Sequence, residues 1–376
     1  MQVLLLEPYY TGSHAAWVIG YAAHSRHQVS CLTMPGRFWK WRMHGGAVAL
    51  ARRFLASSLA PDVILATDML DVATFLALTR GRSSTARVAI YFHENQLSYP
   101  WPAEDRDVQR GRDVHYGFIN YISALAADAI FFNSRYHLES FFNELPRLLK
   151  HFPDYRGLAT IDALRARSQV LPLGLDLRRF DVFRPAETSP TPVVSSRTSP
   201  IILWNHRWEY DKNPSDFFRA LYLLAERGLD FRVVILGQRF RLQPTEFVEA
   251  AERLGSRLLQ LGYVPDFATY ARWLWQADVL PVTSYHDFFG ASVVEAIYSG
   301  CWPLLPRRLS YPELIPAEYH AACFYDDFDD LVERLHAIIA GHLSWDVTAL
   351  QKTMARFDWQ QMAPIYDRQL ECLCQQ

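Results

Sequence analysis

The sequence predicts an α/β protein built as two Rossmann-like halves. Three observations carry this. Short apolar runs rich in Val, Ile and Leu recur between longer stretches of helical character, as strands covered on both faces of a parallel sheet do. The series breaks once, at a proline-rich stretch near the middle, and then resumes. A length of 376 residues is long for one core and suits two of ordinary size.

The first series of runs is 3–6, 63–66, 88–92, 129–132 and 169–171, and the second is 201–204, 232–236, 258–261, 279–282 and 302–305. Between them residues 185–200, with prolines at 185, 190, 192 and 200 and several Ser and Thr, have no periodicity and read as a linker. The expected organisation is therefore an N-terminal domain over 1–184, the linker, a C-terminal domain over 201–345, and a helical segment over 346–376 that packs back on the N-terminal domain. No internal repeat is present at a fixed period.

Half the residues are hydrophobic and 21% are charged, which excludes global disorder. A net charge of -2 supplies no overall field for a polyanion, so a nucleic-acid partner would need a local basic patch. The cysteines (Cys31, Cys301, Cys323, Cys372, Cys374) are scattered and odd in number, which points to reduced thiols in the cytoplasm and not to a zinc site. The opening MQVLLLEPYY lacks the basic and small-residue flanks of a signal peptide and reads as a strand. No run approaches the ~20 apolar residues that span a bilayer, so stable membrane insertion is not expected. Nothing here fixes an oligomeric state.

Ligands of doubly wound sheets bind beyond the carboxyl ends of the strands. There the first half offers Glu7-Pro8-Tyr9-Tyr10-Thr11-Gly12-Ser13-His14, a turn feeding a helix whose free N–H groups suit a phosphate or a sugar, or simply a Gly-Ser helix start. It also offers His93-Glu94-Asn95-Gln96, four hydrogen-bonding side chains in a row. The second half offers Asn205, then Arg207 as a planar fork and Lys212 as a point charge, a pair that suits a diphosphate or pairs with Glu209 and Asp211. The strongest signal is 284–295. It carries Asp287, then Phe288, Phe289, Gly290 and Ala291 at a helix start, and Glu295 eight residues after the first carboxylate. Carboxylates accept from sugar hydroxyls while helix N–H groups favour phosphates, so one segment serves both ends of a nucleotide sugar.

Two Asp-x-Asp pairs, Asp105-Arg106-Asp107 and Asp327-Phe328-Asp329, do not suit a metal. The first lies where Arg106 and Arg110 compete for the carboxylates, and the second reads as a helix cap. No metal and no cofactor are expected. Two basic and aromatic segments, Arg37-Phe38-Trp39-Lys40-Trp41-Arg42 followed by Arg52 and Arg53, and 106–116 with Arg110, Arg112, His115 and Tyr116, suit either RNA bases or an anionic lipid surface.

Asp287 to Glu295 resembles the E-x7-E motif of retaining GT-B glycosyltransferases of the GT4 type, with Asp in place of the first Glu. Arg207 and Lys212 resemble that group's donor-diphosphate cations, and Leu171-Pro172-Leu173-Gly174-Leu175-Asp176 resembles its P-N-G-V-D segment. A narrower resemblance rests on Glu7 to His14, Phe38 to Met43, His93 to Pro100 and His286 to Gly290. It is to the family with a DUF3524-type N-terminal half, that of the tRNA-queuosine α-mannosyltransferases.

The resemblance implies two facing Rossmann-like domains of GT-B type and transfer of mannose, with retention, from GDP-mannose to the cyclopentenediol of queuosine in tRNA. It implies that Gly12, Ser13, Asn205, Arg207, Lys212, Asp287, Phe288, Phe289, Gly290, Ala291 and Glu295 hold the donor. His14, Trp39, Trp41, Arg42, Glu94, Asn95, Gln96, Arg112 and Tyr116 meet the acceptor, and His93, Asp287, Arg207 and Lys212 serve the chemistry. The other functions weighed are a peripheral transferase acting on lipid or polysaccharide and a sugar-nucleotide binding protein without transfer. The resemblance favours RNA over lipid.

Overall fold

The computed structural model describes residues 1–102, 105–185, 199–237, 245–341 and 346–375. They form two compact units, Met1–Leu175 with Trp359–Gln376, and Asp176–Asp358. The expected linker lies almost entirely outside the described residues.

The first unit holds a six-stranded parallel sheet of β1 (Gln2–Tyr10), β2 (Gln28–Pro35), β3 (Val63–Thr67), β4 (Arg87–Phe92), β5 (Ala129–Phe132) and β6 (Ser168–Val170), in the order β2-β1-β3-β4-β5-β6. The second holds β7 (Ile201–Trp204), β8 (Arg232–Ile235), β9 (Leu258–Leu261), β10 (Val279–Pro281), β11 (Trp302–Pro306) and β12 (Phe324–Tyr325), in the order β12-β11-β10-β7-β8-β9, again parallel. The strand order reverses beside β1 in the first sheet and beside β7 in the second, which leaves one crevice at the carboxyl ends of β1 and β3 and, separately in the second unit, one at those of β7 and β10.

All ten runs read from the sequence are strands, and two strands were missed. β2 is an edge strand whose residues are mostly half-buried, so Gln28-Val29-Ser30-Cys31 forms no continuous apolar run. β12 has only two residues.

The boundaries differ from expectation for packing reasons. Phe180, in the turn Arg178–Phe183, is buried in the second unit against Phe267 at 4.8 Å, and Trp275 donates to its carbonyl at 2.8 Å. The first unit thus stops at Leu175 and not at 184. Helix Thr348–Met354 also belongs to the second unit, where Leu350 and Met354 are buried and Gln351 donates to the Tyr298 carbonyl.

Only helix Trp359–Cys374 joins the first unit. Trp17 donates to the Tyr366 hydroxyl (3.1 Å), Tyr21 donates to Asp367 (3.0 Å), and Tyr366 donates to the Pro172 carbonyl (2.9 Å). The Trp359 indole lies where a Cβ on Gly20 or on Gly174 would overlap it, so glycine at both positions is a packing requirement.

Candidate active site

In the second unit, the loop after β10 is fixed before it reaches its helix. Tyr285 and His286 donate their amides to the Asp211 carbonyl, Thr283 donates its hydroxyl to the Lys212 and Asn213 carbonyls, and Ser310 donates to the Phe289 carbonyl. Gly290 then takes φ 92, a left-handed conformation that favours glycine, and helix Ala291–Tyr298 begins. Phe288 and Phe289 are buried. The first amides of the helix have no partner within it and give its start a partial positive charge.

Lys212 is buried in this loop cluster. Its ammonium donates to the His286 carbonyl at 2.7 Å and lies 3.2 Å from Asp211 and 3.7 Å from Asp287. Burial alone would raise the Asp287 carboxyl, but the Lys212 ammonium and the Phe289 amide more than offset that and hold it below the usual carboxylate range. Tyr311 donates to the same carboxylate at 3.3 Å. His206 and His286 are both pushed down to about 4 by burial and by Lys212, so each is neutral at pH 7. Arg207 behaves differently: its half-exposed side chain pairs with Glu209 at 3.1 Å, the alternative the sequence had left open.

Glu295 points from the same helix to the Tyr270 hydroxyl, which donates at 2.8 Å. Burial raises its carboxyl to about 7. Asn205 donates to the Ser292 carbonyl at 2.8 Å and touches Tyr270, which ties the β7 loop to the helix start. Asn205, Lys212, Asp287, Phe288, Phe289, Gly290, Ala291 and Glu295 therefore gather beyond the carboxyl ends of the neighbouring strands β7 and β10, with Arg207 in the same β7 loop. The sequence reading missed Tyr270 and Tyr311, the partners of the two acids, because both lie on helices far from the motif. It also missed Gly237, two residues after β8 at φ 103, where any Cβ would overlap the His206 carbonyl.

In the first unit, Glu7 is fully buried, accepts from the Tyr9 amide at 2.7 Å, and contacts His14 Nδ1 at 2.9 Å. Burial disfavours the His14 charge, but Glu7, with Asp68 and Glu94, outweighs it and lifts the imidazole to about 9. The His14 and His93 rings lie 4.3 Å apart. His93 is driven well below its ordinary value, by burial first and then by His14, and so stays neutral. Asp68, the first residue after β3, accepts from the His93 amide at 2.8 Å, and burial raises its carboxyl. A lone acid after a strand gave the sequence reading no signal. Gln96 donates to Glu94 at 2.9 Å. Gly12 and Ser13 are exposed at the start of helix Gly12–His24.

Among the described residues, Glu7, His14 and His93 are the one group with ligand atoms close enough for a metal, within 4.8 Å of one another. An ion there would have to displace the proton that Glu7 holds on His14. Asp327 caps helix Phe328–Ile339 by accepting from the Asp330 amide.

Several of the residues expected to meet the acceptor also have contacts within the fold. Asn95 is fully buried and its oxygen accepts from the Leu97 and Ser98 amides, closing the loop after β4. Arg42 is buried and its guanidinium donates to the Pro35 carbonyl. Trp39 and Tyr116 pack on Trp101 at 5.3 and 5.6 Å. The carboxylates of Asp105 and Asp107 are taken by Lys40, at 2.6 Å each, and not by Arg106 or Arg110 as expected. Trp41 and Arg112 remain exposed. No helix among the described residues is long and apolar enough to cross a membrane.

Comparison with known proteins matches this arrangement. Residues 2–175 fit the family model described as tRNA-queuosine alpha-mannosyltransferase N-terminal, and 187–346 fit glycosyl transferases group 1. The tRNA-queuosine alpha-mannosyltransferase of Drosophila melanogaster is 33% identical over 317 residues, covering 84% of this chain and 82% of that protein. A GDP-mannose:cellobiosyl-diphosphopolyprenol alpha-mannosyltransferase of Xanthomonas oryzae pv. oryzae is 23% identical over 206 residues, 54% of this chain and 52% of that one. Among solved structures, sucrose-phosphate synthase from Thermosynechococcus elongatus superposes with a TM-score of 0.70 at 14% identity, covering 99% of each chain, and shares the fold. With the fold and both halves matched, the chain is a glycosyltransferase and belongs to the tRNA-queuosine alpha-mannosyltransferase family.

Proposed function

We propose that this chain is a retaining, metal-independent mannosyltransferase that moves mannose from GDP-mannose to the cyclopentenediol of queuosine in cytoplasmic tRNA. The observation that carries the reading is the Lys212 and Asp287 pair beside the start of helix Ala291–Tyr298. An ionised carboxylate for sugar hydroxyls then sits next to a partial positive charge for phosphate. The names of both relatives support mannose, one names GDP-mannose, and the other names the tRNA acceptor.

Glu295 accepts from the nucleotide ribose and Asp287 from the sugar. Arg207, the half-exposed cation, exchanges Glu209 for a phosphate oxygen, while Lys212 acts from behind Asp287. The acceptor hydroxyl attacks the anomeric carbon on the side of the departing diphosphate. The new C–O bond forms as the C–O bond to phosphate breaks, and the hydroxyl proton passes to a phosphate oxygen. Electrostatic stabilisation of the leaving group is then the main contribution of the protein.

The test is mass spectrometry of tRNA, with and without queuosine, after incubation of purified protein with a panel of sugar nucleotides, with and without chelator. A hexose added only to queuosine tRNA, only from GDP-mannose and in both conditions supports the reading. Transfer to lipid alone, or activity abolished by chelator, overturns it.

A further inference from the structure

Helix Trp39–Leu55 opens on a strained residue. Phe38, its N-cap, has φ 56 and ψ 53, a left-handed conformation that a bulky L residue enters only at a cost. The ring gains no burial in return, since Phe38 is 71% exposed, and Trp41 beside it is 63% exposed. The Trp41 indole lies over Gly45, where any Cβ would stand 2.7 Å from the ring, so glycine is what lets it rest on the helix.

The surroundings are basic. From Pro35 to Pro61 the chain carries Arg37, Lys40, Arg42, Arg52 and Arg53 and no carboxylate, within a protein of net charge -2. The Arg37 guanidinium lies 5.8 Å from the Phe38 ring centre. The neighbouring segment brings exposed Arg110 and Arg112 and is joined to this helix by Lys40 and by the His44 and His115 rings, 4.8 Å apart. Lys40 takes Asp105 and Asp107, so the carboxylates of these two neighbouring acids are already paired. The patch also lies at the carboxyl end of the sheet. Pro35 pairs with Tyr10 at the end of β2, and Gly36 packs against Thr11 at the start of the His14 helix.

We infer that Phe38 and Trp41 form a stacking platform for unpaired bases of an RNA loop, with Arg37, Arg110 and Arg112 meeting its phosphates. The inference rests on the tRNA acceptor proposed above and says which residues hold that acceptor. Flat aromatic faces flanked by cations are how single-stranded nucleic acid is held. A lipid-inserting helix needs continuous aliphatic bulk, whereas this outer face runs Trp41, Gly45, Val48, Arg52, Leu55.

The test measures binding of queuosine tRNA, binding of GDP-mannose and thermal stability for wild type, Phe38→Gly and Trp41→Ala, with vesicles of anionic phospholipid as a second probe. Phe38→Gly should raise the melting temperature by relieving the backbone, yet weaken tRNA binding about tenfold. Trp41→Ala should weaken tRNA binding similarly, and donor binding should hold in both. The inference is overturned if both variants bind tRNA as wild type does, or if they lose vesicle binding and keep tRNA. Wild type that binds no tRNA overturns the acceptor reading itself.

Discussion

The ammonium of Lys212 sits between the buried carboxylate of Asp211, at 3.2 Å, and the partly exposed one of Asp287, at 3.7 Å, and donates to the carbonyl next to the second. It compensates charge and braces the loop at once. Lys212→Met leaves both acids without their cation, so a stability loss of about 3 kcal/mol is expected, with donor binding lost in parallel. Thermal denaturation and donor titration check this together.

Asp287 itself is only partly exposed and is braced by Tyr311. Asp287→Ala should lower kcat about a hundredfold with little change in folding, since no buried cation is stranded far from Asp211. Asp287→Glu should keep more activity than the alanine variant, because it restores the carboxylate of the related motif at the cost of one methylene. Steady-state kinetics with circular dichroism separates the two effects.

Glu295 gives a pH signature. Its carboxyl is held up to about 7 by burial, so the free protein carries a mixture of forms at neutral pH, and the ionised form is the one that accepts two hydroxyls. Donor affinity should therefore rise as pH goes from 6 to 8. Glu295→Gln should remove that slope and weaken binding about tenfold. A calorimetric titration in which wild type shows no slope would count against Glu295 as the ribose contact.

His14 makes the opposite prediction for stability. Its pKa is raised from 6.5 to about 9 in the folded chain, so the ion pair with Glu7 contributes fully below 6.5, and that contribution is lost as pH rises through 9. Urea unfolding should show wild type more stable than Glu7→Gln by about 2 kcal/mol at pH 6, with the gap narrowing by pH 9.5.

Gly20→Ala tests packing alone. The added Cβ overlaps Trp359, so a loss of about 1–3 kcal/mol is expected with donor binding unchanged.

Much of this was legible in the sequence because strand runs and strand-end polarity are local signals. Eight of the ten runs found are largely buried, the runs 169–171 and 258–261 lying on edge strands with an exposed residue each, and Asp287 to Glu295 lies on one turn and one helix. What escaped is non-local. The sequence treated the aromatic string 37–42 as one surface, yet Arg42 turns into the protein, Trp39 packs sideways, and Phe38 and Trp41 stay outside. A helix distributes consecutive residues around its axis, and the cap geometry that exposes Phe38 has no sequence signature in a residue other than glycine. Asp68 and Tyr270 matter only through partners dozens of residues away.

The docking of Trp359–Cys374 has a consequence for biosynthesis. The bond between Trp17 and Tyr366 joins residues 349 positions apart, so the first unit lacks part of its interior until the helix Trp359–Cys374 has been made. Residues 176–358, translated earlier than that helix, have no such wait. Removal of residues 359–374 should therefore damage the amino-terminal sheet, leaving Trp17 and Tyr21 uncovered to chaperones and proteases while the second unit still matures.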